Sequence, residues 1–316
     1  MGKMSAQAKK AYGKQKSEEM SERWFNAIAE GIESGNIPWR KPWVGGGASM
    51  PRNLKSNKVY RGGNLMGLWF SAMAQGYTDL RFATRNQLKE KGMSIAGLKN
   101  GSGFPIRFFK PSQYEKENDN GEVEIRNGYV TRWYEVWCVQ QCEDYEAPPV
   151  SDSHQPVPEH EMMANFNTYI DSQETLTLKR EGNRAFYRLK GDLIQLPKHE
   201  DFTDSLGEVM TAFHEAVHST GHPKRTERPL SNGFGSAAYA FEELVAELGA
   251  MLTVVRLGGE FKPDAVMEEN ANNVAYLQHW LKACDEQDKA LTAAFGQAQA
   301  ASDFVYKHCM SEEVVE

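Results

Sequence analysis

The sequence predicts two α+β domains, on three observations. Helix-period and strand-period segments both occur in each half of the 316-residue chain. The stretch EDYEAPPVSDSHQPVPE, residues 143–159, is acidic, Pro-rich and almost free of apolar residues, as a linker is. Charge also changes sign along the chain. Residues 1–142 hold 22 Lys+Arg against 13 Asp+Glu, while the whole chain stands at −7, so the back half is strongly acidic. The division that follows is an arm over 1–16, a domain over 17–142, a linker over 143–159 and a second domain over 160–316.

Each element has a local cause. Residues 1–16 are Lys-rich and lack an apolar stripe, which predicts a mobile arm. From Glu18, the positions Met20, Trp24, Phe25, Ile28, Ala29 and Ile32 recur at helical spacing; Gly35 ends that helix and Pro38 prevents its resumption. IPWRKPWVGGGASMPRN is too rich in Pro and Gly for regular structure. NLMGLWFSAMAQGY and ATRNQLKEKGM read as two helices, the second opened by Thr84. FPIRFFKP and VTRWYEVWCV read as strands, joined by a polar excursion over 115–128 that is expected to be mobile.

In the back half a helix is predicted over His160–Ser172. The strand-like pieces ETLTLK, AFYRLK and DLIQLP follow; DLIQLP alternates and stops at Pro197, as an edge strand does. Helices are then expected over Ser205–Thr220, over AAYAFEELVAELGAMLTVVRLG, and as a pair within NNVAYLQHWLKACDEQDKALTAAFGQAQAASDFVYKH.

Some classes are excluded. No run of 18 apolar residues exists, so no membrane partner is expected, and the first residues lack the apolar core of a signal peptide. Cys138, Cys142, Cys284 and Cys309 read as reduced thiols of a cytoplasmic protein, and Cys138-x₃-Cys142 has no second pair to complete a zinc site.

Residues 213–222, FHEAVHSTGH, contain H-E-x-x-H. On a helix, His214 and His218 lie one turn apart on one face, about 5–6 Å between Cβ atoms, and so converge on one ion. Glu215 leans beside that face, where it reaches an activated water as a base without ligating. A catalytic zinc needs a third protein ligand. His222 is eight residues from His214, about 12 Å along a helix, and the third-histidine position of the extended motif is Lys224. FEELVAELGA offers Glu243 and Glu247 at i, i+4: Glu243 is read as the ligand and Glu247 as the residue that orients a ligating histidine. Glu242 is expected to face solvent. Tyr239 either packs in the core or helps polarise a substrate carbonyl. Zn²⁺ is the expected ion, with other divalent transition metals open. Two alternatives stay open: a helix carrying two incidental histidines, and a metal site that only stabilises the fold.

In the front half, PWRKPW interleaves Trp39 and Trp43 with Arg40 and Lys41. Beyond it, PRNLKSNKVYRGGN brings Arg52, Lys55, Lys58, Tyr60 and Arg61 around a Gly-Gly turn. Rings that stack bases beside cations that neutralise phosphates suit single-stranded DNA.

The chain resembles a known family. IPWRKPW, YRGGN, QLKEKG, FPIRFF and WYEVWCVQQC are similar to the N-terminal domain of ArdC-type antirestriction proteins, which also occurs in TraC-type plasmid primases. DLIQLP, FHEAVHSTGH, FEELVAELGA and NNVAYLQHWLK resemble the zincin-like metallopeptidase domain fused to it. The resemblance implies a small α+β single-stranded-DNA-binding domain followed by a zincin-like, gluzincin-type domain. It also implies a protein of plasmids or phages that shields incoming DNA from restriction; an unidentified host protein is the expected peptidase substrate. For the site it implies His214, His218 and a glutamate as ligands and Glu215 as base. YRGGN departs from the family in its second Gly.

Overall fold

A computed structural model of the chain describes residues 6–33, 50–117, 123–147, 156–230, 236–259 and 287–310. It divides into two compact units: Met1–Glu30 with Met50–Tyr60 and Asn64–Ala147, and Gly31–Ser49 with Arg61–Gly63 and Pro148–Glu316. Both are α+β.

The first unit contains α1 (Ala6–Glu33) as far as Glu30, β1 (Arg52–Asn53), α2 (Gly62–Ala74) from Asn64 on, β2 (Arg81–Ala83), α3 (Arg85–Glu90), β3 (Phe104–Glu117) and β4 (Val123–Cys138). Its sheet has the order β1-β2-β4-β3, parallel between β1 and β2 and antiparallel elsewhere. Met20, Trp24 and Ile28 of α1 are buried at i, i+4, i+8, the stripe expected of a helix lying on a core. Gly67 of α2 lets Trp24 approach: a Cβ there would lie 2.3 Å from the indole nitrogen. Thr84 caps α3 through a reciprocal capping box with Gln87, as the sequence predicts.

Two stretches of this unit are more regular than their composition suggests. Residues 6–16 are helical, as the first turns of α1. Ala, Gln and Lys favour helix without any tertiary contact, and Tyr12 of this stretch is exposed. Residues 115–128 are not a loose excursion: β3 and β4 pair without a break as far as Glu117↔Val123, and only 118–122 fall outside the described residues. Charged residues such as Lys116 and Glu124 sit opposite one another and hide the strand period from an apolar count.

Cys138 and Cys142 are buried. The Cys138 thiol donates to Asp79 O at 3.1 Å, and burial pushes its pKa up to about 12, the opposite of a metal-binding thiolate.

The second unit contains α4 (Glu159–Asp171), β5 (Thr177–Arg180), β6 (Phe186–Arg188), β7 (Leu193–Leu196), α5 (Ser205–Thr220), α6 (Ala237–Arg256) and α7 (Gln287–Cys309). The sheet order is β5-β7-β6, with β5 parallel and β6 antiparallel to β7. DLIQLP is therefore the central strand, not an edge. Leu193, Ile194 and Leu196 are buried, and Pro197 lies just past the strand, where its missing N–H costs no ladder bond. α5 packs on α4, α6, α7 and the sheet. Asp204 caps its start by accepting from Gly207 N at 2.7 Å. Gly249 of α6 meets α5 closely, since a Cβ there would lie 2.9 Å from Val217 Cγ1. NNVAYLQHWLK and residues 148–155 of the linker lie outside the described residues.

Candidate metal centre

α5 and α6 run against each other and bring together residues 24 to 33 positions apart. His214 and His218 project from one face of α5, and their Nε2 atoms stand 3.0 Å apart. Glu243 of α6 faces both: Oε2 lies 3.5 Å from His214 Nε2 and Oε1 lies 3.6 Å from His218 Nε2. Among the described residues these three form the one cluster whose donor atoms all lie within 4.8 Å of one another. Ligands bound at about 2.0–2.2 Å in tetrahedral array are separated by about 3.3–3.5 Å. The observed separations of 3.0, 3.5 and 3.6 Å lie around that spacing, so the donor set fits a single divalent ion.

Each imidazole is held from behind. His214 Nδ1 lies 3.5 Å from Glu247 Oε1, and His218 Nδ1 lies 3.3 Å from Glu242 Oε1. A carboxylate on each Nδ1 favours the tautomer that turns the Nε2 lone pair to the centre. The sequence reading of Glu242 is thereby corrected. It does not face solvent but is buried, gripped by Arg228 through Nε (3.0 Å) and Nη2 (2.6 Å). Helical spacing alone leaves Glu242 a solvent position; Arg228, from the segment after α5, closes over it. Arg228 also donates to Val217 O at 2.8 Å, so the same guanidinium satisfies a carbonyl at the end of α5.

The electrostatics follow from crowding. Burial would raise the Glu243 carboxyl, but its hydrogen bond to His214, the charges of His214 and His218 and the Tyr239 hydroxyl hold it at about 2. Burial would lower His214, yet Glu243, Glu247 and Glu215 raise it to about 10. Glu215 is buried and moves up from the usual carboxylate range, chiefly by desolvation, despite the two histidines. Its carboxylate also accepts the backbone N–H of Tyr187 on β6. Tyr239 is thus a partner of Glu243.

Behind β6 lies a second network that no sequence spacing indicates. Asp192, in a left-handed conformation (φ 46°), accepts from Tyr187 Oη at 2.8 Å, from Thr175 Oγ1 at 2.7 Å and from both terminal nitrogens of buried Arg225. Arg225 Nε donates to Ser219 O on α5 at 2.7 Å. The strand that touches Glu215 is so tied to the helix that carries it.

Of the front-half candidates, Trp39, Arg40, Lys41 and Trp43 lie outside the described residues. Arg52 is half-buried on β1, Lys55 pairs with Glu90 at 2.5 Å, and Lys58 is exposed. Tyr60 packs edge-on against Phe82, with burial raising its pKa, and accepts from Asn53. Arg61 pairs with Asp303 within the second unit.

Residues 18–137 match the family model described as the N-terminal domain of the anti-restriction factor ArdC, and 165–297 match that of the zincin-like metallopeptidases. "Uncharacterized protein y4eC" of Sinorhizobium fredii is 30% identical over 294 residues, covering 90% of this chain and 91% of that protein. The chain belongs to the ArdC-type antirestriction family. Another relative, DNA primase TraC of Escherichia coli, is 30% identical over 306 residues, 91% of this chain but 27% of the primase. Crystal structures of the antirestriction ArdC protein from the R388 plasmid share 26% identity with this family member. They cover 93% of this chain and 99% of theirs, with TM-scores of 0.68 for the metal-free form and 0.70 for the Mn(II)-bound form. No helix among the described residues is long and apolar enough to cross a membrane.

Proposed function

We propose that this protein is a mobile-element antirestriction factor that binds single-stranded DNA through its basic first unit and hydrolyses a peptide bond in its second. The observation that carries the hydrolytic reading is the convergence of His214 Nε2, His218 Nε2 and Glu243 beside buried Glu215. His214, His218 and Glu243 would hold the ion, with Glu247 and Glu242 orienting the imidazoles and Tyr239 supporting Glu243. A bound Zn²⁺ supplies Lewis acidity, polarising a carbonyl and acidifying water to about pKa 7. Glu215 takes the proton of the attacking water and later delivers it to the leaving amine, a role suited to a carboxyl raised by burial. β6 is the sheet edge on the Glu215 side, and it rather than β7 would lay an extended substrate along the site. The substrate fits as an extended segment of a host protein.

For DNA, the basic first unit and the 39–61 candidates support phosphate neutralisation and stacking. The deciding experiment pairs metal analysis with a peptide-library cleavage assay on three proteins. The parent is expected to bind one ion and cleave, Glu215→Gln to bind without cleaving, and His214→Ala to do neither. If Glu215→Gln keeps every activity of the parent, the ion is structural and the protein acts through DNA binding alone.

A further inference from the structure

Eight of the large apolar side chains left exposed among the described residues belong to a single element, the β3–β4 ribbon: Phe108, Phe109, Tyr114, Val123, Ile125, Tyr129, Val130 and Tyr134. A two-stranded ribbon gains little in water from such residues, so their concentration marks a surface that something covers. The register sorts them. Phe104, Ile106, Phe108, Lys110, Ser112 and Tyr114 share one face with Val136, Tyr134, Arg132, Val130 and Gly128. At the base of this face Phe104, Ile106 and Val136 are buried in the core. Beyond them the face is open, with Phe108 53%, Tyr134 44% and Tyr114 51% exposed. Phe108 and Tyr134 stand edge to face at 5.4 Å. Tyr114 leans across the ribbon onto Gly128, where a Cβ would lie 2.7 Å from its ring.

The opposite face differs at its base, which α1 covers: the Arg107 guanidinium lies 4.3 Å from the Trp24 ring and 5.7 Å from Trp133, and Arg23 pairs with Glu135 at 2.9 Å. Beyond that base Phe109, Val123, Ile125 and Tyr129 are exposed as well, so charge rather than exposure tells the two outer faces apart. By backbone alternation the open face carries Lys110, Lys116 and Arg132 against Glu124, whereas the other carries Arg107 against Glu115, Glu117 and Glu135. Lys110 and Arg132 form no ion pair among the described residues.

We infer that the open face of the β3–β4 ribbon is a platform for single-stranded DNA, on which Phe108, Tyr134 and Tyr114 stack bases while Lys110 and Arg132 contact phosphates. The inference rests on the single-strand reading above and places its contacts on an element apart from the 39–61 segment. Exposed rings alternating with unpaired cations are what unstacked bases and their phosphates require. A second copy is disfavoured because like charges would meet across a self-complementary face. A duplex hides its base faces, leaving the rings no partner.

Anisotropy of a labelled oligo-dT of about 15 nucleotides, titrated with the full chain, tests this. Phe108→Ala/Tyr134→Ala is expected to weaken binding at least about ten-fold, the loss of stacked bases. Lys110→Ala/Arg132→Ala is expected to reduce the slope of log affinity against log salt by about 1.4, two phosphate contacts on a single strand. Tyr129→Ala/Ile125→Ala, on the opposite face, is expected to stay within two-fold of the parent. All six side chains are exposed, and circular dichroism checks that each variant folds. If the parent binds and both open-face variants bind equally well, the platform is wrong and the single-strand reading stands. A parent that does not bind overturns both. Tighter binding to a hairpin duplex, or open-face variants that change only self-association in sedimentation, overturns the platform in favour of a groove-binding ribbon or a dimer face.

Discussion

Glu242 and Glu243 are neighbours in the chain but meet opposite ends of one imidazole: Glu242 approaches His218 at Nδ1, Glu243 at Nε2. Their substitutions should therefore differ. Glu243→Gln removes a charged donor and should abolish stoichiometric metal binding, measured by metal analysis after gel filtration. Glu242→Gln should keep the ion but weaken it about 10–100-fold in a chelator competition, because the His218 ring loses its orienting charge. It should also lower thermal stability, since Arg228 is left buried without its counter-charge, a loss of about 3–5 kcal/mol for a broken buried pair. A protonated His214 cannot ligate. Burial notwithstanding, Glu243, Glu247 and Glu215 keep its pKa near 10 in the metal-free protein, so each ion bound at neutral pH must displace a proton. Metal affinity should accordingly rise by about one decade per pH unit between about pH 7 and 9, with proton release visible in calorimetry across buffers of different ionisation heat. A pH-independent affinity would mean that His214 is already neutral.

At the scale of elements, the centre exists because α5 and α6 approach closely enough for Glu243 to meet both histidines. Gly249 permits that approach, sitting two residues beyond Glu247 and against Val217. Gly249→Ala should force the helices apart or displace Val217, costing about 1–3 kcal/mol of stability by overpacking. It should also weaken metal binding, since Glu243 and Glu247 ride on the displaced helix. Adding Val217→Ala should restore much of both, because the contact that α6 resents is a side chain rather than backbone. Rescue of stability without rescue of metal affinity would separate packing from site geometry. The strands teach a related lesson. DLIQLP has the alternation and terminal proline of an edge, yet it is central because β5 and β6 pair with its two sides. Alternation reports burial of faces; it does not report which backbone edges are occupied.

For the whole molecule, the metal donors lie in one unit and most of the basic first half in the other. Chelation should therefore abolish peptide hydrolysis while leaving oligo-dT affinity within two-fold, measured by anisotropy with and without EDTA at one ionic strength. A parallel loss of both would show that the ion holds the DNA-binding unit in shape. The sequence by itself determined what is local or periodic: the i, i+4 histidines of α5, the Thr84 cap, the apolar stripe of α1, the helix bearing Glu243 and Glu247, and the change of charge between halves. These are legible because helix geometry converts spacing directly into a shared face. Tertiary structure alone decided that Arg228 turns Glu242 inward, that Asp192 and Arg225 bind β6 to α5, and that α1 covers the base of only one face of the β3–β4 ribbon. Those pairings join residues by chain reversals of variable path, and no period in the sequence encodes which side chains a reversal brings into contact.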